Sequence, residues 1–210
     1  SWKIFGKQFG RFIFYSVLSV GLITVILLPT FYSLLGSKGT ATTIAWSLKS
    51  EYNPLLMASK LFIGSFDFHE MQKGYPNIFV GSLAMFSFLC YFKEKKIARS
   101  QRFYALFITV IILISFNIEM FDKLWHAGQL PNWYSYRFSF LFSFWMVFLG
   151  YQWALKKTAV GIHETFVYFF LVLATSIGFI LFPQDYLQGW QIALGFGLSM
   201  GILYGLILIG

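Results

Sequence analysis

The residues best suited to chemistry gather at 128–144, GQLPNWYSYRFSFLFSF, where a polar, aromatic-rich loop runs into an apolar segment with Arg137 at the join. Asn132, Tyr134, Ser135 and Tyr136 place hydrogen-bonding groups around that cation, with Trp133 beside them, a set suited to gripping an anion at a membrane surface. The same residue types also make an aromatic-belt anchor, which needs no ligand. Upstream, Glu119 ends a long apolar run, where an ionisable group is costly unless paired or functional; Lys123, His126 and Arg137 are its candidate partners. A further group, Asp67-x-His69-Glu70, joins two carboxylates and an imidazole, which can hold a divalent cation or activate a hydroxyl. Its spacing matches no established metal signature, and a solvated loop is the alternative. The candidate substrate-binding residues are therefore Arg137, Trp133, Tyr134, Tyr136, Asn132, Glu119 and His126, and the candidate metal ligands Asp67, His69 and Glu70. No phosphate loop, His-Glu-x-x-His or serine elbow is present, so no catalytic residue is named.

The elements that position these residues are membrane spans. Of 210 residues 58% are hydrophobic and 11% charged, 27 are phenylalanine, and the mean hydropathy is +0.67, outside the range of soluble domains. The net charge of +8 does not point to nucleic acid, because the basic residues alternate with apolar runs instead of sharing one face. A lone cysteine, Cys90, excludes an internal disulfide. The expected architecture is all-α, a single polytopic transmembrane domain over 1–210 with spans at about 12–35, 76–92, 103–119, 138–155, 165–182 and 190–208. Pro29 is expected to kink the outer end of the first span. A tight turn at 183–189 makes the last two a hairpin, and Gly195, Gly197, Gly201 and Gly205 predict close helix packing.

Basic residues set the orientation. Lys3, Lys7 and Arg11, then Lys93, Lys95, Lys96, Arg99 and Arg102, then Lys156 and Lys157 fall on one side, which predicts that side as cytoplasmic and the loops 36–75 and 120–136 as extracellular. Within the first outer loop, Asn53-Pro54 reads as an N-cap and first helical position, with Gly64 as the closing cap. The helix between them, about 54–63, spans only about 15 Å and is expected at the interface, with Ser59 and Lys60 toward water. His163 and Glu164 are expected in a solvated inner loop. The chain starts and stops abruptly, as a piece of something longer would.

Four strings carry a resemblance: LLPTFYSLL at 27–35, NPLLMASKLFIGSFDF at 53–68, GYPNIFVGSLAMFSFLCYF at 74–92 and LPNWYSYRFSFLFSF at 130–144. In this order they resemble the bacterial YfhO family of membrane proteins, over about 1–155 in sequence and beyond that in hydropathy. That family is similar to GT-C glycosyltransferases. The resemblance implies transfer of a sugar from a polyprenyl-phosphate donor to teichoic acid, chiefly lipoteichoic acid, on the outer face of a Gram-positive cell membrane. It implies as partners membrane lipid, the polyprenyl-phosphate-linked sugar and the teichoic acid acceptor, with a divalent metal ion as the cofactor to consider. Such enzymes carry their catalytic acid in the first outer loop after an N-terminal span, which is expected upstream of this chain, so the fragment alone is expected to lack it. The alternatives are a non-catalytic membrane assembly subunit and a transporter. Span centres largely free of charge argue against the transporter.

Overall fold

The computed structural model describes residues 2–35, 46–126, 128, 131, 133–156 and 160–209. It is all-α and divides into two units, 1–45 and 46–210. The first holds one helix, α1 (Trp2–Leu35). It begins well before the expected span at residue 12, so Lys3, Lys7 and Arg11 ride on the helix instead of preceding it; lysine and arginine are good helix formers and give the backbone no reason to stop. The helix also continues through Pro29 to Leu35. Thr30 Oγ1 donates to Ile26 O at 2.8 Å, the kind of side-chain bond that helps satisfy carbonyls near an intramembrane proline.

The second unit contains α2 (Phe68–Lys73), α3 (Ser82–Tyr91), α4 (Arg99–Ser115), α5 (Glu119–Trp125), α6 (Ser139–Lys156), α7 (Ile162–Leu181) and α8 (Gly189–Ile209), with a 3₁₀ helix at Pro54–Leu61. Among the described residues three helices combine the length and apolar composition of a membrane crossing, within α1, α7 and α8, with mean hydropathies of 2.3, 1.9 and 1.8. The molecule is therefore a multi-pass membrane protein. The expected span at 76–92 is corrected: only Ser82–Tyr91 is helical, 10 residues covering about 15 Å, half a hydrocarbon layer. Pro76 biases Tyr75 away from the α region, and Gly81 at φ 80° marks the point where the chain turns into the helix, so 74–81 stays non-helical. The third expected span shifts to Arg99–Ser115 for a comparable reason, as residues 117–120 leave the helix to pair with 47–51.

The core joins α3, α4, α6, α7 and α8. Phe86, fully buried, stands edge-on to Trp153 (5.7 Å) and Tyr168 (5.1 Å). The Tyr168 hydroxyl donates toward Ser82 O at 3.2 Å and lies 3.3 Å from Ser199 Oγ, a polar knot tying α7 to α3 and α8. The most extensive helix pair is α3 with α6, and Gly150 is its reason: a Cβ there would lie 3.1 Å from Ser87 Cβ and 3.3 Å from Ala84 O. Of the four glycines expected to pack closely in the last helix, Gly195 does, since a Cβ would meet Phe62 Cδ1 at 2.8 Å. Gly197, Gly201 and Gly205 have no packed atom within 4 Å of a Cβ, because they fall off the stripe that meets Phe62.

Candidate functional site at one end of the helices

The segment leading into α6 is fixed from three directions. Phe138 stacks between Phe116 (4.9 Å) and Trp125 (4.8 Å), which clamps the start of α6 against the ends of α4 and α5. Trp133 tilts against Phe68 (5.7 Å) and Tyr134 against Phe66 (6.4 Å), so the first loop meets the 133–136 turn. The third tie is Tyr136, buried, whose hydroxyl donates a short hydrogen bond to the Glu51 carboxylate. Tyr134 and Tyr136 both hold positive φ, 55° and 56°. That left-handed conformation is disfavoured for a bulky side chain, and segments held in it despite the cost are common at functional sites.

Glu51 is placed by an antiparallel pairing. Ser50 bridges to Ile118, Glu51 N donates to Asn117 O at 2.8 Å, and Glu119 N donates to Lys49 O at 3.1 Å. Asn117 closes the joint with a side-chain bond to Tyr52 O at 2.7 Å. The pairing makes a cleft of about 360 Å³ lined by Lys49, Ser50, Glu51, Glu119, Asp122, Pro131 and Ser135. Asp122, on α5, is 1% exposed. Burial, reinforced by the Glu51 charge, pushes its carboxyl up to about 7, and burial also raises Glu51. Among the described residues Glu51 Oε1 and Asp122 Oδ1 have no hydrogen-bond donor. The imidazole of His126 stands 3.3 Å from Asp122 Oδ1, but its Nδ1 is directed at Asp122 O, 3.0 Å away.

The structure sorts the residues singled out from sequence. Glu119 pairs with Lys123 at 2.5 Å, one turn along α5, and that bond holds its carboxyl below the usual range. His126 is half-buried, its pKa lowered by burial and by the Arg137 charge. Arg137 is exposed; its Nη2 donates to Trp133 O at 2.9 Å and its Nε to Tyr134 O at 3.2 Å. No carboxylate lies within ion-pair distance of Arg137 among the described residues, so of the candidate partners of Glu119 it is Lys123 that pairs with it and not Arg137. Asn132 lies outside the described residues. Sequence reasoning missed Glu51 and the place of Asp122 beside it. Neither sits in a motif, and only the 47–51 pairing with 117–120 shows that they face one cleft.

The Asp67, His69, Glu70 group is taken apart. Asp67 Oδ1 caps α2, accepting from His69 N and Glu70 N at 2.9 Å each, and these bonds lower its pKa. Glu70 instead bonds Lys60 Nζ at 2.5 Å, while His69 is exposed. Among the described residues no group of three or more His, Cys, Asp or Glu side chains is arranged to hold a metal ion.

The expectation that Ser59 and Lys60 face water is overturned, for both are fully buried. The helix is 3₁₀, not α, which changes the face each residue occupies, and Leu55 is exposed. Lys60 Nζ donates to Ser65 O (2.5 Å) and Glu70 Oε2 (2.5 Å) and sits 3.8 Å from the centre of the Tyr186 ring, with Phe66 and Tyr75 at 5.9 Å each. Burial lowers the Lys60 pKa and Glu70 opposes that shift. His163 and Glu164 are likewise not loop residues: they lie in the first turn of α7, where Glu164 Oε2 accepts from Gly161 N at 3.1 Å and His163 Nε2 is 3.2 Å from Lys93 Nζ.

A family model described as "Bacterial membrane protein YfhO" matches residues 1–210 of the chain. Comparison with curated proteins and with solved structures returned no match.

Proposed function

Because the chain belongs to the YfhO family of bacterial membrane proteins, we infer that it forms part of a membrane glycosyltransferase carrying sugar from a polyprenyl-phosphate donor to teichoic acid, chiefly lipoteichoic acid, on the outer face of the membrane. The observation that carries this reading is Arg137. Its guanidinium is exposed and braced by two carbonyls of its own turn, has no carboxylate partner among the described residues, and stands just before the start of the apolar helix α6. A planar cation held in this way suits one phosphate bound through paired N–H groups at headgroup depth. Trp133 and Tyr134 would flank that phosphate, and burial with the Arg137 charge lowers the His126 pKa, which favours the guanidinium as the local positive charge. In the transfer the acceptor hydroxyl attacks the sugar's anomeric carbon, the bond from that carbon to the lipid phosphate breaks, and the hydroxyl proton passes to a carboxylate.

The bias of basic residues supports an outer location for the 46–75 and 117–138 segments, and hence for this end of the helices. The test is Arg137→Lys in the complete protein. Charge-assisted hydrogen bonds contribute roughly 1.5–3 kcal/mol each, so losing a paired grip raises the donor KM about tenfold or more while folded yield stays normal. Unchanged donor dependence would reduce Arg137 to an interfacial anchor.

A further inference from the structure

We propose that the cleft between the 47–51 pairing, α5, Pro131 and Ser135 is a subsite for an uncharged, hydroxyl-rich sugar ring, separate in role from the phosphate grip assigned to Arg137. The proposal rests on the glycosyltransferase reading for its biological setting and on the cleft's own chemistry for its ligand. Two carboxylate oxygens, Glu51 Oε1 and Asp122 Oδ1, are buried without a donor among the described residues, and Asp122 is 1% exposed. A buried acceptor left unpaired is costly, so a ligand that completes this site brings donors. Sugar hydroxyls are donors, and adjacent hydroxyls on one ring can serve two carboxylates at once.

Charge narrows the ligand further. Glu51, Glu119 and Asp122 line the cleft with one cation, Lys49, while Glu119 is already paired with Lys123. A phosphate placed against Glu51 and Asp122 would be repelled by their carboxyls wherever these are ionised, whereas a neutral ring would not be. The groups facing the two carboxyls fit a hydroxyl ligand as well: the Tyr136 hydroxyl fixes one side of Glu51, His126 stands against Asp122 with its Nδ1 turned to the main chain, and Ser135 adds a hydroxyl to the rim. The volume, about 360 Å³, is within the range of small-ligand sites. Positive φ at Tyr134 and Tyr136, on both sides of Ser135, ties the strained turn to this cleft and to Arg137 together. The ring belongs either to the donor's sugar or to a sugar on the acceptor; the chemistry is the same, and the kinetic arms below separate them.

The experiment uses the complete protein in membranes or detergent with the parent, Glu51→Gln, Asp122→Asn and Ser135→Tyr. The first two substitutions remove the charged acceptors while keeping shape; the third fills the cleft and touches neither carboxyl. Binding of methyl glucoside and methyl N-acetylglucosaminide, with glucose 1-phosphate as the anionic comparison, is read by saturation-transfer NMR. Glycosyl transfer is titrated separately in donor and acceptor. The expected result is binding of a methyl glycoside in preference to the sugar phosphate, weakened about tenfold or more in each variant. The rise in KM would fall on the donor if the cleft holds the donor's sugar and on the acceptor otherwise. Unchanged glycoside binding and unchanged KM values in folded Ser135→Tyr and Asp122→Asn proteins would overturn the subsite. A parent that binds methyl glycosides in the cleft yet transfers no sugar would sustain the subsite and overturn the transferase reading.

Discussion

Asp122 makes a testable statement about stability. Its carboxyl is raised from 3.8 to about 7 in the folded protein, chiefly by burial and then by Glu51. A carboxyl with a raised folded pKa stabilises the fold while protonated, and this contribution declines as pH climbs from about 4 to about 7, because the folded state must then carry a buried charge the unfolded chain carries in water. At about 1.36 kcal/mol per pH decade the full penalty above pH 7 is of order 4 kcal/mol. Asp122→Asn removes the ionisation and keeps the shape, and Oδ1 has no donor to lose. The variant should match the parent near pH 4, and at pH 8 it should exceed it by on the order of 2–4 kcal/mol. Thermal unfolding in detergent, followed by tryptophan fluorescence at both pH values, measures the difference. A gap that does not widen with pH would show that Asp122 is ionised at no cost, and the burial argument would fail. A variant that gains stability at pH 8 while losing sugar binding would mark a site kept at a cost to the fold.

Lys60→Met leaves Glu70 without its partner and should destabilise by on the order of 3 kcal/mol, whereas Lys60→Met with Glu70→Leu should recover most of the loss; chemical denaturation of the two variants tests this. Gly195→Ala should cost about 1–2 kcal/mol through its 2.8 Å approach to Phe62, and Gly197→Ala should be neutral or slightly stabilising, as melting temperatures will tell. For orientation, cysteines at Lys73 and Ser100 in a Cys90→Ser background should label oppositely with an impermeant maleimide on intact cells, and equal labelling would refute the assigned sidedness.

Long apolar periodicity was legible: α7 and α8 begin and end within about three residues of the expected spans. So was the Asn53 signal, for Asn53 Oδ1 accepts from Leu55 N at 3.1 Å; Gly64 has φ 71° but does not close the helix, which already ends at Leu61 with Phe62 as its cap. What failed was inference about faces. The cap signal at Asn53 fixes where a helix starts but not whether it is 3₁₀ or α, and that difference turned Lys60 inward. Apolar content over 76–92 does not distinguish a helix from a non-helical run, and the Pro76 and Gly81 punctuation decides against the helix before Ser82. Arg137 and its tyrosines stand out by residue type, and the structure holds them in one turn. Glu51 and Asp122 do not stand out, because two ordinary acids distant in sequence become a pair only through hydrogen bonds made by 47–51.

The enclosure of Lys60 also constrains the order in which the protein can be finished. The ring that covers its ammonium is Tyr186, in the turn between α7 and α8; Gln191 Nε2 donates to Gly64 O at 2.5 Å, and Phe62 packs on Phe179. All three partners are synthesised well after the loop that they enclose. Until that hairpin is inserted, the 54–70 segment holds a cation lacking its aromatic cover, so its mature shape waits on helices made well after it, and a chain shortened before residue 180 would leave the loop unfinished however well its earlier helices enter the bilayer.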